Sequence, residues 1–169
     1  MRPNDSQAAR TPPLLIVWHS RTGTSERLAI AAAQGAGDSG TVLPAAETTP
    51  DHFLAASGYL FVCPENLGGM SGVMKEMFDR CYYPLLGRIE GRAYASITAA
   101  GSDGTGAVRQ LDRIVTGWRL KRVAEPAIVC VEAQTPEAIL AEKIVAEERL
   151  GEARDLGAAL AEGLETGIF

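Results

Sequence analysis

Leu14-Leu15-Ile16-Val17-Trp18-His19-Ser20-Arg21-Thr22-Gly23-Thr24-Ser25-Glu26-Arg27-Leu28-Ala29-Ile30-Ala31-Ala32-Ala33 is the stretch whose reading decides the fold. Its first five residues are apolar, branched and too few for a helix, the pattern of a buried strand. A polar turn follows from His19 to Ser25, and then Leu28, Ala29, Ala32 and Ala33 continue at helical spacing. A strand that passes through hydroxyls and a glycine into a helix makes an anion site. First-turn N–H groups have no internal partner, and the helix dipole puts partial positive charge there. Ser20, Thr22, Thr24 and Ser25 add hydroxyl donors, and Gly23 lets the backbone come close to a ligand. Arg21 either pairs with the anion or stands exposed beside the loop.

The loop binds a phosphate and leaves it alone. No Lys follows the glycine, so GxxxxGK[ST] is absent and nucleoside triphosphate hydrolysis is disfavoured. GxGxxG is absent too, which argues against a dinucleotide site of the Rossmann type. Without a Cys, the loop has no nucleophile for a cysteine phosphatase.

Further along, Thr41–Pro44 reads as a short strand near a sheet edge, and Pro50 to Ala55 as a brief helix. Tyr59–Cys63 is a continuous apolar run, a central parallel strand that empties into Pro64–Gly72. The spacing of Met74, Met77, Phe78 and Cys81 predicts a helix over 73–83 with these residues in the core. Tyr94–Ala99 is the fourth strand and empties into Ala100–Gly106. Val108, Leu111, Ile114, Val115 and Trp118 then mark a helical face. A fifth strand is expected between Arg122 and Val131, with Pro126 implying a bulge or an exposed edge. From Thr135-Pro136-Glu137 onward the Ala/Glu/Leu-rich composition predicts helix, with Thr135 as cap and Pro136 in the first turn. Residues 1–13 read as a disordered arm or a cloning remnant, and 14–169 as one domain.

Strands alternating with helices imply an α/β fold, a parallel sheet with helices on both faces. Ligands of such sheets bind beyond the C-terminal ends of the strands. The loops after the first, third and fourth strands all emerge there, and they are the three loops that composition singles out.

The formal net charge of −5 argues against a nucleic-acid binder, a class that usually carries a basic face. The cluster Arg119, Lys121, Arg122 is short and reads as a solvated strand entry. No apolar run approaches the roughly 18 residues of a membrane span, and no export signal opens the chain. Cys63 and Cys130 sit in apolar runs and read as small buried hydrophobes, in keeping with a reducing cytoplasm. His19 and His52 read as packed or capping residues; no metal-ligand spacing and no Ser–His–Asp arrangement is found.

Ser20-Arg21-Thr22-Gly23-Thr24-Ser25 resembles the [ST]-x-[ST]-G-x-[ST] pattern by which flavodoxin-like proteins hold the FMN phosphate. Pro64-Glu65-Asn66-Leu67-Gly68-Gly69-Met70-Ser71-Gly72-Val73-Met74-Lys75 is similar to the P-x-x-x-G-x-M-S/P-x-x-x-K segment of the NAD(P)H-dependent FMN reductase and quinone reductase branch. The resemblance runs from about Leu14 to the end of the chain. It implies a flavodoxin-like three-layer sandwich around a five-stranded parallel sheet of order 2-1-3-4-5. It also implies that FMN is the cofactor, its phosphate held by residues 20–25. The ring would lie along Pro64, Glu65, Asn66, Leu67, Gly68, Gly69 and Met70, and beside Ala100, Gly101, Ser102, Asp103, Gly104 and Gly106. Glu65 could instead face solvent or cap the following segment, and Asp103 could be an ordinary turn residue.

The activity implied is an NAD(P)H-dependent oxidoreductase that passes hydride via FMN to a quinone, a flavin or a similar acceptor. Single-electron flavodoxins sandwich the ring with Tyr or Trp from the second and third loops, and neither loop here has one. The alternative is an electron carrier that works through a redox partner protein without NAD(P)H activity. Relatives of the reductase branch form dimers or tetramers, which suggests a homodimer for so short a chain. Tyr82, Tyr83, Pro84, Leu85 and Leu86 are the candidate interface.

Overall fold

The computed structural model describes residues 13–169. Strand β1 (Leu14–Trp18) passes into helix α1 (Thr24–Ala36), which stops at Gly37, and β2 (Gly40–Pro44) follows as the edge strand. Next come α2 (Pro50–Ala55), β3 (Gly58–Asn66), β4 (Gly69–Met70), α3 (Gly72–Leu85), β5 (Ala93–Ala100) and α4 (Thr105–Gly117). The chain continues through β6 (Lys121–Arg122), β7 (Ala127–Cys130), α5 (Pro136–Leu140) and α6 (Glu147–Thr166). The expected arm lies outside the described residues except for Pro13, whose carbonyl accepts the N–H groups of Ser57 and Gly58.

Strands β2, β1, β3 and β5 run parallel in that order, with Trp18 beside Val62 and Pro64 beside Ala99, so their C-terminal ends share one edge. Strand side chains alternate between faces. Leu15, Val17, Tyr59 and Phe61 pack with α2, α3 and α4 in a layer that holds Phe53, Phe78 and Trp118. Leu14, Ile16, Leu60 and Val62 pack on the other face with Leu28 of α1 and Leu160 of α6. This is the three-layer flavodoxin-like arrangement.

The sheet departs from five strands in two places. The fifth position is split: β6 pairs with Ala93 and Tyr94, and β7 pairs with Ile97 to Ala100. Between them Pro126, which has no N–H to give a ladder, interrupts the pairing. The other addition is β4, which turns back antiparallel on the end of β3. Strand β3 thus runs on to Asn66 where an end at Cys63 was expected.

The C-terminal region is not one helix from Thr135. The Thr135 hydroxyl does cap α5 by accepting the Ala138 N–H at 3.2 Å, but α5 ends at Leu140 and α6 begins at Glu147. The cause is tertiary. The Lys143 N–H donates to the Thr22 carbonyl at 3.0 Å, and the Lys143 ammonium is turned back onto the carbonyls of Ala138 (2.5 Å) and Ile139 (3.0 Å) at the end of α5. Cys130 also departs from expectation. It ends edge strand β7 and is exposed, while Cys63 and Cys81 are buried. No helix among the described residues is long and apolar enough to cross a membrane.

Candidate functional site

The three loops meet over the C-terminal edge of the sheet around a cavity of about 300 Å³, within the size range of small-ligand sites. From the first loop, Ser20, Arg21, Thr22, Thr24 and Ser25 line it. Gly23 stands at the N-cap of α1 with φ 94°, a conformation that L side chains rarely adopt, and no side chain among the described residues caps the helix. The Ser20 hydroxyl accepts the Gly23 N–H at 2.9 Å, which folds the loop and leaves the Ser20 proton available to donate. Thr24 and Ser25 are 4% and 0% exposed, and their hydroxyls have no hydrogen-bond partner among the described residues. Buried hydroxyls are ordinarily paired. Two orphaned hydroxyls at an uncapped helix N-terminus fit a phosphate, which would accept from both.

The second loop is a tight hairpin. Leu67 (φ 54°) and Gly68 (φ 78°) form its two-residue turn, with Asn66 opposite Gly69. Left-handed residues at both central positions are the geometry of a type I′ turn. Pro64, Glu65, Asn66 and Leu67 line the cavity, and the Leu67 side chain is fully exposed. Gly68, Gly69 and Met70 serve the hairpin's placement: Met70 is buried, and its N–H donates to Gln110 Oε1 of α4 at 2.8 Å.

Of the third loop, Ala100, Gly101 and Ser102 line the cavity. Asp103 is exposed and accepts the Thr105 hydroxyl at 2.7 Å, the turn role. Gly104 (φ 85°) is the N-cap of α4, and Gly106 already lies in that helix. A Cβ on Gly106 would come 2.1 Å from the Gly68 carbonyl oxygen, so the helix and the hairpin touch backbone to backbone.

Glu65 joins the second and third loops. Gly104 has no side chain to cap α4, and the Glu65 carboxylate does so, accepting the N–H groups of Gly104 (3.1 Å) and Ala107 (2.9 Å). The cap comes to α4 from a strand about 40 residues upstream. His19 joins the first and second loops, its Nδ1 standing 2.8 Å from the hydroxyl of buried Ser71. Burial, and then the charge of Arg21, hold the His19 pKa below the ordinary value, so the ring is neutral near pH 7. Burial pushes the Cys63 thiol up to about 12 and leaves it inert.

A fourth wall was not foreseen: Val131, Ala133, Ile139, Leu140 and Lys143 complete the lining. No spacing in the sequence marks them, because tertiary contacts bring them there: the Val131 N–H donates to the Ala100 carbonyl, and Lys143 is held by Arg27, 116 positions away. Among the described residues, none of those lining the cavity is aromatic.

The model of the NADPH-dependent FMN reductase family matches residues 23–135, well over half of the chain. A flavodoxin of Aquifex aeolicus is 30% identical over 97 residues, covering 55% of this chain and 52% of that protein, so the chain spans about half the length of the curated relative it matches. Among solved structures, a flavodoxin from the domain Archaea superposes with a TM-score of 0.74 at 15% identity, covering 90% of this chain and 98% of that one. The WrbA-like flavodoxin of Agrobacterium tumefaciens gives 0.71 at 20% identity, covering 90% and 97%. At these identities the structures speak for the fold alone, and the family match carries the rest. The chain belongs to the NADPH-dependent FMN reductase family, in a flavodoxin-like fold, with FMN as cofactor.

Proposed function

We propose that the chain is an NAD(P)H-dependent oxidoreductase that takes hydride from a nicotinamide and delivers it to a small acceptor, a quinone or a flavin. The observation that carries this reading is the lining itself: aliphatic Leu67, Ile139 and Leu140 stand at the cavity, and among the described residues no aromatic side chain does. A ring bound there keeps a face for a planar substrate, which a stacked Tyr or Trp would cover.

When bound, FMN supplies the two-electron chemistry. The protein's part is to bind and orient it. Ser20, Thr22, Thr24 and Ser25 hydroxyls with the first-turn N–H groups of α1 hold the phosphate, and Arg21 adds charge. Backbone N–H groups of the hairpin turn offer donors to the ring's acceptor atoms, which favours the charge that builds on reduction. Ala100, Gly101 and Ser102 close the far side with small residues.

A homodimer belongs to the same reading, supported by Tyr83 and Leu86 at the end of α3, which are 80% and 48% exposed. Leu85 is in the core and Tyr82 stacks on buried Trp118, so only part of the apolar stretch is free for an interface. The carrier reading is favoured by the likeness to a curated flavodoxin.

Anaerobic reduction separates the two. Protein loaded with FMN should lose its visible flavin absorbance on addition of NADPH or NADH, and regain it with a quinone. An absorbance that withstands both nicotinamides but falls with dithionite would favour the carrier.

A further inference from the structure

Residues 131–146 form a strap that crosses from β7 to α6 beside the phosphate loop, and most of it lies past residue 135, where the family match ends. Its α5 helix brings Ile139 and Leu140 to the cavity wall, where they remain 49% and 67% exposed. Three contacts tie the strap to the phosphate loop and its helix. The Lys143 N–H donates to the Thr22 carbonyl at 3.0 Å. The Arg27 guanidinium pairs with the Glu142 carboxylate at 2.5 Å and donates to the Lys143 carbonyl. Arg27 reaches this position from the first turns of α1 by lying over Gly23, its guanidinium carbon 3.9 Å from where a Cβ on that glycine would be.

We propose that Arg27 and Glu142 are positioning residues that clasp this strap over the cavity, so that opening of the clasp sets the rate at which FMN leaves. The inference rests on the cofactor reading above and adds to it the element that retains the cofactor. No side chain among the described residues caps α1, and two exposed aliphatic residues of the strap line the cavity. A strap fastened to the loop at Thr22 covers a bound ligand only while it stays fastened.

The sign of one substitution decides between a clasp and plain electrostatics. Glu142 carries a negative charge on the side of the phosphate loop, so Glu142→Gln removes a repulsion from a bound phosphate. Electrostatics alone would therefore slow release, whereas loss of the clasp quickens it. Arg27→Met quickens release on either account and is informative only in combination.

Release of FMN from the loaded full-length chain can be followed by the return of flavin fluorescence after rapid dilution. Glu142→Gln should release FMN about fivefold faster than the natural chain, the scale of a partly exposed charge-assisted contact. The double variant should be no faster than Arg27→Met alone, with unchanged melting temperature for Glu142→Gln, whose side chain is 77% exposed. Release by Glu142→Gln that is unchanged or slower overturns the clasp. Failure of the natural chain to quench added FMN at all would overturn the cofactor reading and the clasp with it.

Discussion

At the scale of single residues, buried polar atoms without partners are the most informative feature. Burying a hydroxyl unpaired costs stability, so Thr24 and Ser25 lack a structural reason for their Oγ atoms. Thr24→Val should leave thermal stability unchanged or raise it while weakening FMN binding by about tenfold or more, the worth of one hydrogen bond to a charged group. A melt and a fluorescence titration on the same preparation read both; a fall in melting temperature with unchanged affinity would make the hydroxyl structural. His19 makes a second prediction. Its pKa in the fold is depressed by burial and by Arg21, so the unfolded chain binds the proton more readily. The stability it contributes is complete above the ordinary histidine value of about 6.5 and is lost as pH falls below that toward the depressed value. Denaturant midpoints measured across this window should fall with acidification, and in His19→Gln that component of the slope should vanish.

At the scale of elements, local pattern and tertiary contact divide what could be read in advance. Strand β1, the turn of residues 20–25 and α1 were legible because an apolar run, hydroxyls, a glycine and a helical stripe follow one another within twenty residues. Asn66 to Met70 read as part of an open loop, yet Leu67 and Gly68 make a two-residue turn there. A Leu at a left-handed position gives no turn signal of its own. The strap was illegible because Arg27 and Lys143 meet across 116 positions, and those contacts override the helical composition of 135–150. Glu65 was read with capping of the following segment as one option, but the helix it caps is α4, beyond α3 and β5. Glu65→Ala leaves two N–H groups of α4 without an acceptor and should cost about 1–2 kcal/mol by denaturant unfolding. Gly106→Ala drives a methyl into the Gly68 carbonyl and should cost about 1–3 kcal/mol, with weaker FMN binding as the hairpin is displaced.

At the scale of the whole molecule, the parallel sheet gathers three loops at one edge, and the strap adds a fourth wall. The oxidoreductase reading needs nicotinamide and acceptor to use the same open face in turn, which predicts ping-pong kinetics with parallel double-reciprocal lines. Intersecting lines would require both substrates at once and contradict a shared face. The most direct test of the cavity's role is a paired fluorescence titration of the purified chain with FMN and with riboflavin, which differ only in the phosphate. Several hydrogen bonds from the first loop and the N-terminus of α1 predict that FMN binds at least about a hundredfold more tightly. Equal affinities would mean that residues 20–25 hold no phosphate, and the cofactor would have to be sought elsewhere on the molecule.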